Sequence, residues 1–398
     1  MTDISTAQLD VFKPGSTQQI VFIGQGKRAE LFAARLRVAG FSFAECKLSA
    51  PRTNAQTKEL AQTVANAGLV ITALENPQEV EAVYLGEHGI LAGVKPGSYL
   101  LDVSLCTPRL ARELHALASL GECFFVEACE AGNAAGCEAG STQACAAGDA
   151  AACAAITNAA TVNTTNTHTT SAHTNTRLFV GGDTDTVQTL QPVFEALSTS
   201  VLLVGLAGQG ASAKLAATIC QAGAMMALVE TITFALNSKV EPASILAMFA
   251  TDPYVTPAMC DLAHHILDEQ FENGPSLEVF FDELTVALDA ADELDLAFPV
   301  LETAHQLYDL LMMVGGNHKA LQALALVYRE EAYCEKQGLD WGLAQRAMDV
   351  YEQAANFGFE YFDSYEDDEC TDPSCGHRRY SSSDDDDYPR MDDYFSSN

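Results

Sequence analysis

Positive charge is scarce in this chain. Lys and Arg number 21 against 54 Asp and Glu in 398 residues, a formal charge of −33. Nucleic acid and anionic membranes are bound by clustered Lys and Arg, so this composition argues against both as partners. The 12 cysteines include no Cys-x-x-Cys pair, which removes the usual spacing of a metal or disulfide scaffold. The first residues, MTDISTAQLDVFKPGS, have neither a basic start nor an apolar core. No signal peptide is read there, and a cytoplasmic location is expected. No uncharged apolar run of about 18 residues has membrane flanks, because the most apolar segment carries Glu230 inside a globular pattern.

What the chain does contain is enough apolar material for full cores. Hydrophobic residues make up 48%, and the length suits two or three domains. Part of the acidic excess lies in residues 359–398, where 13 acidic residues stand against 3 basic ones, and this Ser/Asp-rich tail is expected to be disordered. A second segment without a core pattern, residues 133–176, is Ala-rich and then Thr/Asn-rich, and reads as a flexible insertion. His168 and His173 within it, Cys370, Cys375 and His377 in the tail, and the pair His264 and His265 lack the spaced partners of a metal site, so no metal is expected.

The first ordered block, QQIVFIGQG followed by KRAELFAARLRVAG, reads as strand, glycine turn and helix. In that context Gly24, Gly26 and Ala29 form a dinucleotide-binding pattern. Gly24 would make the turn, Gly26 would let the backbone approach a pyrophosphate, and Ala29 would permit close helix contact. A ribose-binding carboxylate is expected at the end of the second strand, where FSFAECK offers Glu45. Glu45 would favour NAD, whereas Lys47 and Arg52 would meet the extra phosphate of NADP. Strands and helices then alternate through LVITAL, PQEVEAVYLG, YLLDVS, TPRLARELHALASLG and FFVEACEAG, the pattern of a doubly wound parallel sheet.

The centre of the chain is VLLVG, LAGQGAS and then AKLAATICQAGAMMALVETITFALNSK, read as strand, glycine-rich turn and long buried helix. Lys214 is the single charge between Glu195 and Glu230. An ammonium near a helix start opposes the dipole and is costly to desolvate, which makes Lys214 a candidate catalytic group; the alternative is a lysine that snorkels to solvent. Helices follow in EPASILAMFA, AMCDLAHHILDEQF, FFDELTVALDAADELD, ETAHQLYDLLMMVGG and KALQALALVYREEAY.

In this order, VFIGQGKRAELFAARLRVAGF, GVKPGSYLLDVS, VEACEAG, LFVGGDTDTVQTLQPVFEAL and VGLAGQGASAKLAAT resemble the blocks of the β-hydroxyacid dehydrogenase family, over about residues 18–330. The resemblance implies an α/β Rossmann-type doubly wound sheet followed by an all-α C-terminal domain. Domain limits are then a polar leader at 1–18, a dinucleotide-binding domain at 19–204 interrupted at 133–176, a helical substrate and dimerisation domain at 205–358, and the acidic tail at 359–398. It further implies NAD or NADP as cofactor, with Gly24, Gly26, Thr72, Leu74 and Ser104 lining it. Lys214 would be the general acid/base, and Ala131, Gly132 and Asn133 the substrate-carboxylate loop. A homodimer or higher homo-oligomer is also implied.

Departures from the family bear on substrate. Ala131-Gly132-Asn133 stands where the family has Ser-Gly-Gly, Thr218 where it has Asn, and Asp282-Glu283-Leu284 where it has Lys-Asp-Leu. The expected function is hydride transfer between a nicotinamide and a small hydroxy acid or aldehyde. The alternatives are an inactive NAD(P)-binding or scaffold protein of the same fold, and an imine-reductase-like enzyme. Imine reductases commonly carry Asp or Tyr at the position of Lys214, which counts against the latter.

Overall fold

A computed structural model of the chain describes residues 12–47, 54–131, 161–162 and 176–346. Met1–Ala344 forms one compact unit and Gln345–Asn398 a second. The tail cysteines, Arg52, Gly132, Asn133, His168 and His173 lie outside the described residues.

Eight strands form one sheet: β1 (Ile20–Gly24), β2 (Ala44–Cys46), β3 (Leu69–Ala73), β4 (Tyr99–Asp102), β5 (Phe124–Ala131), β6 (Thr161–Val162), β7 (Arg177–Gly181) and β8 (Ser200–Gly205). Their order is β2-β1-β3-β4-β5-β7-β8-β6. Neighbours among the first five strands are all parallel, as expected. The sheet then reverses: β7 runs antiparallel to β5, β8 parallel to β7, and β6 antiparallel to β8. The doubly wound parallel sheet is thus present, extended by a mixed edge of a kind common on large parallel sheets. The segment read as a structureless insertion supplies β6, so that reading is corrected in part.

Strand composition follows from burial on both faces. Along β1, Ile20 and Phe22 face one core with Phe32 and Leu36 of α1 (Gly26–Val38) and Phe194 of α7 (Gln191–Leu197). Val21 and Ile23 face the other, with Leu60 and Val64 of α2 (Asn54–Val64), Val80 and Tyr84 of α3 (Pro77–Leu85) and Leu114 of α5 (Pro108–Leu120). Alternate side chains reach opposite faces, so a strand covered twice reads as a continuous apolar run. A short α4 (Ile90–Gly93) and α6 (Thr184–Thr189) complete the layers. Caps set the helix starts: Asn76 accepts from the Glu79 amide at 2.8 Å before Pro77, and Thr107 from the Leu110 amide at 3.1 Å before Pro108. The leader is less polar in effect than in composition, since Phe12 is buried edge-on against Tyr99.

The second core surrounds α8 (Gln209–Asn237), with α9 (Pro242–Phe249), α10 (Pro257–Leu267), α11 (Leu277–Asp292) and α12 (Pro299–Met313). By length and composition alone α8 resembles a membrane span, but it packs on β5 and β7 at one end and on α11 and α12 beyond. Leu215, Met225, Leu228, Val229 and Ile232 are buried along it, each worth roughly 1.5–3 kcal/mol. The last expected helix, KALQALALVYREEAY, is replaced by a 3-10 segment, Leu321–Tyr328, and a short α13 (Glu331–Lys336). Its backbone is drawn into other partners: the Ala320 amide donates to the Phe271 carbonyl, Leu321 to Pro275, and the Gln322 side chain donates to the carbonyls of Gln270 and Asn273.

Arg35 of α1 joins three elements from within the core. Its guanidinium donates to the Leu197 carbonyl at 2.8 Å and to the Thr176 hydroxyl at 2.7 Å. An Arg35→Met protein leaves both buried acceptors unpaired, and its unfolding free energy in urea is expected to fall by about 2 kcal/mol. An unchanged transition midpoint contradicts this assignment.

Candidate active site

Between β1 and α1 the chain makes a tight glycine turn, with Gly26 rather than Gly24 in the left-handed conformation. Gly26 has φ 83° and so makes the turn; Gly24 is the close approach, where a Cβ would stand 2.4 Å from the Ala73 carbonyl oxygen of β3. Ala29 is buried against Gly24 as expected. Gln25 caps α1 without a side-chain hydrogen bond, and the first turn holds no acidic residue, so its amides are not taken by side chains. A Cβ on Gly26 would meet Glu75 at 2.1 Å, which places an exposed carboxylate against the turn. These residues fit a dinucleotide phosphate group, with Glu75 free to swing aside.

Thr72, Leu74 and Ser104 are brought together at the carboxyl ends of β3 and β4, but buried. Thr72 donates to Asp102 at 2.7 Å and shares a 2.9 Å hydrogen bond with the Tyr84 hydroxyl. The Ser104 hydroxyl donates to the same Asp102 oxygen and accepts from the Leu74 amide at 2.8 Å. Burial raises the Asp102 pKa; the Ser104 and Thr72 hydrogen bonds and the Arg28 charge act against that rise. The three residues therefore brace the carboxyl ends of β3 and β4 against each other.

Glu45 is placed elsewhere. Its carboxylate pairs with Arg37 of α1, and it lies opposite Phe22, two residues before Gly24. Cys46 is opposite Ile23, so continuing the register puts exposed Lys47 level with Gly24.

Lys214 lies in the second turn of α8, because the helix begins at Gln209, earlier than read from the sequence. It is 4% exposed, which rules out a side chain snorkelling to solvent. Its Nζ donates to Glu283 Oε2 of α11 at 2.6 Å, and the Thr218 hydroxyl, one turn on, reaches the same oxygen at 3.3 Å. A buried ammonium paired with a buried carboxylate avoids the large cost of either charge alone. Asp282, the neighbour of Glu283, is exposed and lies within electrostatic reach of Glu278, Glu75 and Arg28.

Ala131 ends β5 and offers no hydroxyl. Before it, Glu130 has one oxygen shielded from solvent and without a hydrogen-bond partner. Burial raises the Glu130 pKa, with Arg28, Arg35 and Lys214 opposing and Glu283 adding to the rise. The sequence reading missed Glu127, Glu130, Arg28 and Glu75. Glu127 had a legible signal, an acid within an apolar strand, and Glu283 another, an acid three residues after Phe280 on the buried stripe of α11. Among the described residues no group of three or more His, Cys, Asp or Glu is arranged to hold a metal ion.

Comparison with known proteins agrees with this geometry. Residues 19–170 match the family described as the NAD binding domain of 6-phosphogluconate dehydrogenase. Residues 208–328 match the family described as NAD-binding of NADP-dependent 3-hydroxyisobutyrate dehydrogenase. A probable mitochondrial 3-hydroxyisobutyrate dehydrogenase-like protein of Arabidopsis thaliana is 27% identical, covering 81% of this chain and 88% of its own. An NAD-dependent L-serine dehydrogenase of Pseudomonas aeruginosa is 25% identical over 75% of this chain and 93% of its own. In fold, the chain is similar to a Mycobacterium tuberculosis 3-hydroxyisobutyrate dehydrogenase solved with L-serine, at TM-score 0.62 and 21% identity, covering 79% of this chain and 99% of that one. With two family models in their expected order around the glycine turn and the Lys214 helix, the chain belongs to the β-hydroxyacid dehydrogenase family and is an NAD(P)-dependent oxidoreductase of that type.

Proposed function

We propose that the chain reduces a small aldehyde to its alcohol, and the reverse, with Lys214 as the general acid/base. The observation that carries this reading is the placement of Lys214, a buried ammonium in hydrogen-bond contact with Glu283 and one helical turn from Thr218. When bound, the nicotinamide supplies or accepts the hydride. Gly24, Gly26 and the first turn of α1 would hold the phosphates, over the floor built by Thr72, Asp102 and Ser104.

During reduction Lys214 donates a proton from Nζ to the carbonyl oxygen, and its charge stabilises the developing alkoxide. During oxidation Nζ takes the hydroxyl proton. Glu283 orients the ammonium, and its Oε2 also anchors the Thr218 hydroxyl, so the two substrate-facing groups share one counter-charge. Homo-oligomerisation is part of the same reading and is supported by the outer face of α8, where Phe234 is 75% exposed on a helix otherwise rich in buried apolar residues.

Charge distribution favours the aldehyde over the hydroxy acid. The charge of Lys214 is matched by Glu283, while Glu75, Glu130 and Asp282 lie around it with Arg28 and, for Glu130, Arg35 as cations in electrostatic reach. Ala131 removes the hydroxyl that would hold a carboxylate. A carboxylate entering this site meets like charge, which costs affinity.

Lys214→Met is expected to keep cofactor affinity within about threefold while kcat falls by about a hundredfold or more. A Lys214→Met protein with full turnover removes the assignment. With NADPH or NADH as donor, kcat/KM for isobutyraldehyde is expected to exceed that for succinic semialdehyde by about tenfold. The opposite order assigns the substrate to the hydroxy acids.

A further inference from the structure

The start of α8 is held by a side chain from another element. Gly208, its N-cap, has φ 88° and offers no side chain, so the start of a 29-residue helix has no side-chain cap of its own; the Gln209 amide donates to the Leu206 carbonyl at 3.0 Å. Glu127 of β5 supplies such a cap: its Oε1 accepts from the Gly208 amide at 2.6 Å and the Gly210 amide at 3.1 Å. Backbone packing leaves little room around this clip. A Cβ on Gly181 of β7 would stand 2.1 Å from Glu127 Oε1, and one on Gly210 would stand 2.8 Å from the Gly181 amide nitrogen. Strand, helix and carboxyl therefore fit together in one arrangement, and Lys214 follows one turn after Gly210 on the same side of the helix.

Glu127 is fully buried, and its second oxygen, Oε2, has no hydrogen-bond partner. The titratable groups facing it are Asp102, its register partner on β4, together with Cys106 and Cys129; Lys214 on α8 acts in turn on Cys129. A helix N-terminus favours a carboxylate, but here burial outweighs it and the Asp102 charge adds to burial. The carboxyl is pushed up to about 8, with the Gly208 and Gly210 amides opposing the rise. The neutral form is thus the one this packing accommodates. Its contribution is present at low pH and is lost as pH rises through about 8.

We propose that Glu127 is a positioning residue: its neutral carboxyl seats the Lys214 helix on the sheet, and loss of its proton releases the helix start from its working register. The inference rests on the reading of Lys214 as the acid/base for its catalytic half, and on the clip alone for its structural half. Ionisation leaves Oε2 charged, without a donor and beside Asp102, so the two amides are gripped by a group that is driven toward solvent.

Two measurements on the full-length protein test it. In hydrogen exchange of the peptide spanning Gly205–Lys214, corrected for intrinsic rates, the unsubstituted protein is expected to lose about tenfold protection between about pH 7 and about pH 9.5, whereas Glu127→Gln, locked neutral, loses none. In isobutyraldehyde reduction with NADPH, kcat of the unsubstituted protein is expected to fall about tenfold more than that of Glu127→Gln over the same range, with KM for NADPH unchanged. Glu127→Leu, which leaves both amides bare, is expected to be slow at either pH. Identical pH profiles for Glu127→Gln and the unsubstituted protein overturn the proposal, as does a Glu127→Gln protein that does not fold. If the exchange difference is found while Lys214→Met keeps full turnover, the clip stands and the Lys214 assignment fails.

Discussion

The attachment of α8 to the sheet governs the layout of the molecule. Its first turn is pinned to β5 through Glu127 and packs against β7, while the rest of its length forms the centre of the helical core. A single rigid helix therefore belongs to both layers. Lys214 stands where they meet, beside the carboxyl end of the parallel strands, the region where ligands bind in folds of this kind.

Holding an ammonium there imposes a second constraint. Lys214 and Glu283 are both buried, and a partner removed from either side leaves a charge that the interior does not tolerate. The pair therefore fixes α11 against α8 and orients the Lys214 ammonium at the same time. Around it carboxylates outnumber cations, a balance set by Glu75, Glu130 and Asp282 against Arg28 and Arg35. On the proposed reading, this balance and the absence of a hydroxyl at Ala131 disfavour a carboxylate substrate.

Much of this architecture was legible in residue order. The glycine turn, the five parallel strands and the long helix with its one cation, Lys214, follow from local patterns, and the family resemblance added the acid/base role expected of that cation. What stayed hidden depends on contacts distant in sequence. Glu45 reads as a ribose ligand by position; its ion pair with Arg37 is a strand-to-helix contact that position alone does not show. The reversal at β7 follows a long segment of no core pattern, so nothing local signals its direction. KALQALALV reads as helix by propensity, but backbone and side-chain bonds to Phe271, Pro275, Gln270 and Asn273 override it. The partner of Lys214 lies 69 residues away, and Glu127 lies 81 and 83 residues from the amides it holds. Only the fold brings them together.

On the proposed reading, the region around Lys214 carries hydride between a nicotinamide and a carbonyl carbon. Incubation of the purified protein with isobutyraldehyde and NADPH deuterated at the transferable position of C4, followed by mass spectrometry of the alcohol, tests it most directly. Deuterium is expected at the carbinol carbon, delivered from one face of the nicotinamide, in the unsubstituted protein and at a greatly reduced rate in Lys214→Met. Bound NADPH with no deuterated alcohol from this or any other small aldehyde or oxo acid contradicts it.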